Sequence, residues 1–297
     1  MGALVKSFSV GNGDMFSIVD REQGGNLTVI DCCLNADRTD EIIKELKNQG
    51  DSFRFISTHP DKDHIKGLVV IANLIHAFWS SPNDISEKSP SDDMKAYCKL
   101  RDPKFPISSG TYISHNQKAI GINFLWPKID SKTYLNALKL AQNDSTKYNG
   151  ISPIFTYTYS GGAKFMWMGD LSSSFLAALD SGNEILWPEI DVLFAPHHGR
   201  DRVPDQILRK LKPRFIVIGE AAKEDLEYYK KVCEICQNGA GDIIFECQKN
   251  VLHIYLSKTP SKKLQDATKR DPSRVQCGWY VGSVDLLTTK PDWDAGR

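Results

Sequence analysis

Four side chains able to bind a divalent cation fall within six residues, in the segment His59-Pro60-Asp61-Lys62-Asp63-His64. A divalent metal needs several imidazole nitrogens and carboxylate oxygens converging on one point. To deliver that, the segment has to be a loop that wraps its side chains inward. Two carboxylates and two histidines exceed what one tetrahedral ion with an open position uses, which favours a pair of ions. A second feature is Asp170, which closes the apolar run Phe165-Met166-Trp167-Met168-Gly169. A carboxylate at the carboxyl end of a strand lies where α/β sites form, although Asp also serves as a helix N-cap. The third is His197-His198-Gly199, directly after an apolar strand pattern and Pro196. The glycine there lets backbone approach a ligand closely; two plain loop histidines are the alternative.

Each of these features follows a strand pattern. Residues 4–10 alternate apolar and polar, 11–14 turn, 15–19 return, and 27–32 form a buried-strand pattern ending near Asp31. Ile42, Ile43 and Leu46 recur at helical spacing over 39–48, with Gly50 as a stop. A strand at 53–57 leads into the cluster, and the spacing predicts a helix leaving it over 65–75, with His76 facing the core. The polar stretch 80–110 reads as an inserted excursion or lid with a short helix near 94–100, and 131–148 as a second insertion with a helix. Strands at 154–159 and 164–168 flank Gly161-Gly162, a hairpin signal. After them come helix 174–179, strand 192–195, helix 205–211, strand 215–218, helix 224–237 and strands 243–246 and 252–256. Cys233 and Cys236 fall on the predicted 224–237 helix and read as packing. One domain over 1–257 is expected, followed by a polar, basic extension over 258–297. Early strands giving way to strand–helix alternation suit sheets covered by helices on their outer faces.

Composition narrows the class. With 41% hydrophobic and 25% charged residues the 297-residue chain is an ordinary folded protein, not a disordered one. Lys+Arg and Asp+Glu are 37 each, so no global field steers it to nucleic acid or anionic lipid. The first residues hold no apolar signal core, and apolar runs such as 68–72 are too short to span a bilayer. Seven scattered cysteines read as reduced thiols. A cytoplasmic protein with no membrane association is expected.

Taken together, the motifs resemble the metallo-β-lactamase superfamily, whose signature is His-x-[His/Asp]-x-Asp-His followed by a later Asp and further His. Within it the chain is similar to the stand-alone form of the ComEC-like DNA-uptake branch. The likeness rests on the Val10–Asp14 turn, Ile30-Asp31, Asp61 in place of a His, Gly169-Asp170 and His197-His198-Gly199, and spans roughly 4 to 256. It implies a four-layered αββα sandwich and two divalent cations, Zn²⁺ or Mn²⁺. By this resemblance His59 and Asp61 bind the first ion, Asp63, His64 and His198 the second, and Asp170 bridges both. A hydroxide held between the ions is the implied nucleophile, with Asp63, His197 and Asp170 carrying the reaction. His197 either donates a proton to the leaving group or acts as an alternative ligand. Asp31 orients the motif loop. Asp14 and Asn12 position that loop or substrate oxygens, with turn formation the alternative, and Asn149 with Ser152 matches an Asn and Ser of the branch.

Two departures stand out. The further His that most of the superfamily carries between the first motif and Gly-Asp has only His76 and His115 as candidates, and Glu220-Ala221-Ala222 replaces the branch's Gly-His-Pro. The expected activity is hydrolysis of a phosphodiester in nucleic acid or nucleotides. Ester or lactone hydrolysis on the same scaffold is a second expectation, and a non-catalytic binding or regulatory protein a third; a protein partner is not indicated.

Overall fold

The computed structural model describes residues 2–21, 26–102, 109–113, 118–119, 121–160, 162–229, 232–274 and 279–291. Its first half runs β1 (Ala3–Ser7), β2 (Phe16–Asp20), β3 (Asn26–Ile30), β4 (Cys32–Cys33), α1 (Thr39–Gln49), β5 (Phe53–Ser57), α2 (Lys62–Ile65), α3 (Leu68–Ile71), β6 (Ile75–Ser80), α4 (Asp92–Arg101) and β7 (Ser109–Tyr112). It continues with β8 (Lys118–Ala119), β9 (Ile122–Trp126), α5 (Lys132–Asn143), β10 (Ile154–Thr158), β11 (Lys164–Trp167), α6 (Ser173–Ser181), β12 (Val192–Phe194) and α7 (Asp205–Leu211). The last part is β13 (Phe215–Ile218), β14 (Cys233–Cys236), α8 (Gln237–Ala240), β15 (Ile243–Gln248), β16 (Val251–Leu256), α9 (Lys262–Ala267) and β17 (Tyr280–Asp285).

The strands form two sheets. One has nine strands in the order β17-β16-β15-β1-β2-β3-β5-β6-β7, the other seven in the order β14-β13-β12-β11-β10-β9-β8. Each changes from antiparallel to parallel pairing partway, at β3–β5 in the first and β11–β12 in the second. Parallel neighbours need a crossover, which α1 and α6 supply.

Period-two burial explains the layering. In the second sheet Phe165, Trp167, Val192, Phe194, Phe215 and Val217 join one core with Val5, Ile18, Ile56 and Phe245 of the first sheet. Their alternates Met166, Leu193 and Ile216 face the other way, toward Leu176, Leu179, Ile207 and Leu208 of α6 and α7. Val29, Phe55 and Phe78 of the first sheet likewise meet Ile42, Leu46, Leu68 and Tyr97 of α1, α3 and α4. The result is the four-layered αββα sandwich, an α/β fold. Aromatic packing fills its centre, with Trp167 stacked on Phe194 at 4.7 Å and on Phe155 at 5.3 Å. Serine caps four helices: Ser91, Ser131, Ser172 and Ser261 each accept from the N–H three residues on.

Several local expectations differ. The predicted 65–75 helix is broken at Gly67, whose φ of 85° is left-handed; Asp93 takes the N–H groups of Gly67 and Val69. His76 therefore lies on β6, exposed, with Nδ1 3.1 Å from Ser52 Oγ, and is not a core residue. The predicted 224–237 helix is instead one turn of 3-10 helix at Lys223–Asp225 followed by β14, because the open edge of β13 accepts a parallel strand. Cys233 and Cys236 sit on that strand. Within 80–110, α4 packs down on the first sheet with Tyr97 fully buried, so that helix is part of the fold's outer layer. Beyond 257 the chain adds α9 and then β17, which pairs antiparallel with β16, so part of the expected polar extension completes the sheet. Gly161 and His115 lie outside the described residues. Among the described residues no helix is long and apolar enough to cross a membrane.

Candidate metal centre

Four strand ends build the site. β3 and β5 are parallel neighbours, so Asp31 and Thr58 emerge side by side, with Asp31 N–H donating to Ile56 O at 2.9 Å. Asp31 adopts a left-handed φ of 54°, which turns its carboxylate back along β5. Its Oδ1 accepts from Thr58 N–H at 2.7 Å, and its Oδ2 accepts from Thr58 Oγ1 at 2.6 Å and faces His64 Nδ1 at 2.9 Å. After β5 the chain turns at Asp61, whose carbonyl accepts from His64 N–H, and α2 brings His64 back over Asp31.

β11 delivers Asp170 through Gly169, which only glycine fits. Its φ is +50°, and a Cβ there would lie 2.6 Å from Ser152 Oγ and 3.1 Å from Thr58 Cβ. Ser152 Oγ in turn accepts from Asp170 N–H at 3.2 Å and lies 3.3 Å from His59 Nδ1. β12 ends one strand over in His197 and His198, both left-handed at φ 54° and 55°. His197 N–H donates to Gly169 O at 3.1 Å, tying the two loops together.

These loops aim four imidazoles at one atom. Asp170 Oδ2 lies 3.2 Å from His64 Nε2, 3.5 Å from His198 Nε2, 3.8 Å from His197 Nε2 and 3.9 Å from His59 Nε2. Every Nδ1 points outward toward an oxygen, with hydrogen-bond geometry for all but that of His198. His64 faces Asp31, His197 faces Asp201 Oδ2 at 2.8 Å, and His198 faces Asp14 Oδ1 at 3.1 Å. His59 Nδ1 meets hydroxyls instead, Thr58 Oγ1 at 2.9 Å and Ser152 Oγ. Two more carboxylates reach the same centre, Asp61 Oδ2 at 3.4 Å from His59 Nε2 and Asp63 Oδ2 at 3.3 Å from His198 Nε2.

A divalent cation fits this arrangement. The Nε2 atoms of His59, His64 and His198 and the Oδ1 atom of Asp170 are buried without a hydrogen-bond partner. Buried polar atoms are rarely left so, and outward-held Nδ1 atoms are how ligating histidines are oriented. Ligand atoms of Asp14, His64, Asp170 and His198 all lie within 4.8 Å of one another. The electrostatics agree. Burial would raise the Asp170 carboxyl, but His64 and His198 outweigh it and hold it well below the usual range. Burial would likewise lower His198, yet Asp14 and Asp170 push it up to about 10, while His64 is held well above its ordinary value by Asp170 and Asp31. Asp63, whose burial is opposed by His198 and His64, is lowered to about 2. The carboxylates thus demand positive charge at this point, which imidazole protons or a metal can provide.

His59, Asp61, Asp63, His64, Asp170, His197, His198 and Asp31 are therefore brought together. Asp14 joins them through His198. Asn12 does not take part in these contacts; its Oδ1 accepts from Arg200 at 2.6 Å. Glu220, in the position of the absent Gly-His-Pro, accepts from Ser9 Oγ at 2.7 Å and Gly11 N–H at 2.6 Å, and so pins the same turn. Asn149 lines a cleft of about 570 Å³ that opens onto Asp170 and His197, walled by α5 and the 3-10 segment Ser145–Ile151. Thr58 and Asp201 were missed by sequence reasoning. Thr58 directly precedes His59, and Asp201 lies four residues after His197; a search for partners of each histidine would have raised both.

No family model matches the chain, and no curated protein matches it. Among solved structures, a metallo-beta-lactamase from Staphylococcus aureus subsp. aureus COL is similar at 13% identity and a TM-score of 0.36, covering 63% of this chain and 55% of that one. A second metallo-beta-lactamase structure, from Thermotoga maritima, is similar at 11% identity and the same TM-score of 0.36, covering 58% of this chain and 81% of the other. The chain thus spans little more than half the length of the first. The architecture described above stands on its own strand order and packing.

Proposed function

We propose that this chain is a metal-dependent hydrolase acting on a phosphodiester of a nucleotide or nucleic acid. The observation that carries the reading is the convergence of four imidazole Nε2 atoms on Asp170 Oδ2, with buried, unpartnered donor atoms around it. His59 and Asp61 would hold one cation and Asp63, His64 and His198 the other, with Asp170 between them. The oxygen-rich donor set, with Asp61 in the place of a His, suits Mn²⁺ as well as Zn²⁺. When bound, two such cations lower the pKa of water and neutralise charge developing on a phosphoryl group.

The chain's own residues set the stage for that chemistry. Asp31 accepts the Nδ1 proton of His64, which leaves the Nε2 lone pair facing the centre. Thr58 steadies Asp31 and His59 at once. His197 differs from the other three: its side chain is 28% exposed where it lines the cleft, and Asp201 holds its Nδ1. Its exposure and its Asp201 partner support a role for His197 Nε2 in handing a proton to a departing alkoxide. The test is turnover by Zn²⁺- or Mn²⁺-reconstituted protein on bis-p-nitrophenyl phosphate, single-stranded DNA and a lactone panel. Turnover of a diester, abolished by Asp170→Ala, is expected. Lactone hydrolysis with every diester inert, despite bound metal, would overturn the substrate class.

A further inference from the structure

The cleft beside the centre is larger than one reacting phosphate requires. About 570 Å³ is within the range of pockets that take a whole small ligand. Its floor carries Asp170 and His197, while its wall, from α5 and Ser145–Ile151, carries Lys132 and Lys147. Both lysines are exposed, and among the described residues neither ammonium is in ion-pair contact, although Lys147 is near enough to Asp144 to help Thr146 lower that carboxyl. The acids nearby are engaged. Asp201 is held by His197 and by Ser173 N–H, Glu184 by Lys128 and Thr133, and Asp144 Oδ1 by the N–H and O–H of Thr146. The cleft is also lined by the apolar side chains of Ala137 and Leu140 on α5 and Phe175 on α6, of which Leu140 is 58% exposed.

From this layout we infer that the wall is a second anion subsite. Lys132 and Lys147 take a phosphate other than the one that reacts, and the apolar lining of Ala137, Leu140 and Phe175 seats the base or other apolar body. The substrate class is then a compact nucleotide diester bearing an additional phosphate. Cations that track a backbone beside an apolar or aromatic seat for bases are how unpaired nucleotides are held. This inference rests on the phosphodiesterase reading, and its position in the chain is informative. The wall comes from the 131–151 stretch, outside every motif that carries the metal ligands.

The experiment compares three probes on metal-reconstituted protein: bis-p-nitrophenyl phosphate, the dinucleotide ApA and its 5′-phosphorylated form pApA. Wild type is expected to favour pApA over ApA by at least about tenfold in kcat/KM, mainly through KM, a size in line with a 1.4 kcal/mol contact. The Lys132→Ala/Lys147→Ala double variant should lose that preference and keep bis-p-nitrophenyl phosphate turnover within about twofold. Equal loss on all three probes, or no preference for pApA in wild type, would overturn the subsite. A binding arm separates the two ideas, using phosphorothioate-linked pApA and metal-replete protein. Lysine-dependent binding without turnover of any diester would refute the phosphodiesterase reading and leave the subsite standing. Binding that ignores both lysines would overturn the subsite whatever the turnover.

Discussion

Asp31→Asn isolates how an outer residue governs the centre. Asp31 sits at a left-handed φ of 54°, a conformation Asn tolerates as well as Asp, so the backbone need not move. An asparagine amide can still accept from Thr58 N–H through its oxygen and donate to Thr58 Oγ1 through its nitrogen. It cannot accept from His64 Nδ1, which the carboxylate now faces at 2.9 Å. One charge-assisted hydrogen bond is lost, worth about 1.5–3 kcal/mol. His64 also loses the partner that fixes its tautomer, so its Nε2 lone pair is no longer committed to the centre. At about 1.4 kcal/mol per tenfold, metal affinity should fall roughly 10–100-fold. Competition with a chromophoric chelator reads this directly, and a thermal melt of the same sample checks that the fold is intact. Unchanged metal affinity in a folded Asp31→Asn protein would refute the orienting role.

Three further outcomes follow from the geometry. Gly169→Ala forces a Cβ to within 2.6 Å of Ser152 at a left-handed φ, and strain of about 1–3 kcal/mol should lower the melting temperature by roughly 2–10 °C and weaken metal uptake. The two cations should differ in affinity, because His59 is oriented by hydroxyls while His64 and His198 face carboxylates; His59→Ala should release one equivalent and His198→Ala weaken the other, read by titration calorimetry. Asp242 gives a pH dependence away from the centre. Burial would raise its carboxyl, but Arg38 at 2.7 Å and Lys6 at 3.0 Å outweigh this and lower it. A depressed folded pKa contributes stability above the unfolded carboxylate value near 3.9 and loses it as pH falls through the folded value. Urea melts from pH 7 to 3 should therefore show Asp242→Asn less stable at pH 7 and flatter below about pH 4; parallel curves would refute the assignment.

The strands and the three motif loops were legible because their signals are local, while the four-layered sandwich came from the resemblance those motifs carry. Strand alternation in 165–168 and 192–194 fixes which side chains face the other sheet, and each motif sits at a strand end. The contacts that orient the histidines were harder to read, since Asp14 and His198, or Asp31 and His64, meet only after the sheets assemble. Two misreadings have the same origin. Cys233 and Cys236 are spaced as on a helix, yet pairing along β13 decides for a strand. His76 follows an apolar run that looks helical, but Gly67 and the Asp93 caps break it, and β6 presents His76 to solvent. The second predicted insertion, near 131–148, proved the one that borders the centre, while 80–110 contributes α4 to an outer layer. Cleft walls are set by tertiary placement, so sequence periodicity alone could not rank the two.

The central claim is that Asp170, with His59, Asp61, Asp63, His64 and His198, holds two divalent cations. Equilibrium dialysis of the purified chain against Zn²⁺ and Mn²⁺, followed by elemental analysis, tests it most directly. Two equivalents per chain in wild type, falling below one in Asp170→Ala, is the predicted result. No stoichiometric uptake, or uptake that Asp170→Ala leaves unchanged, would contradict it.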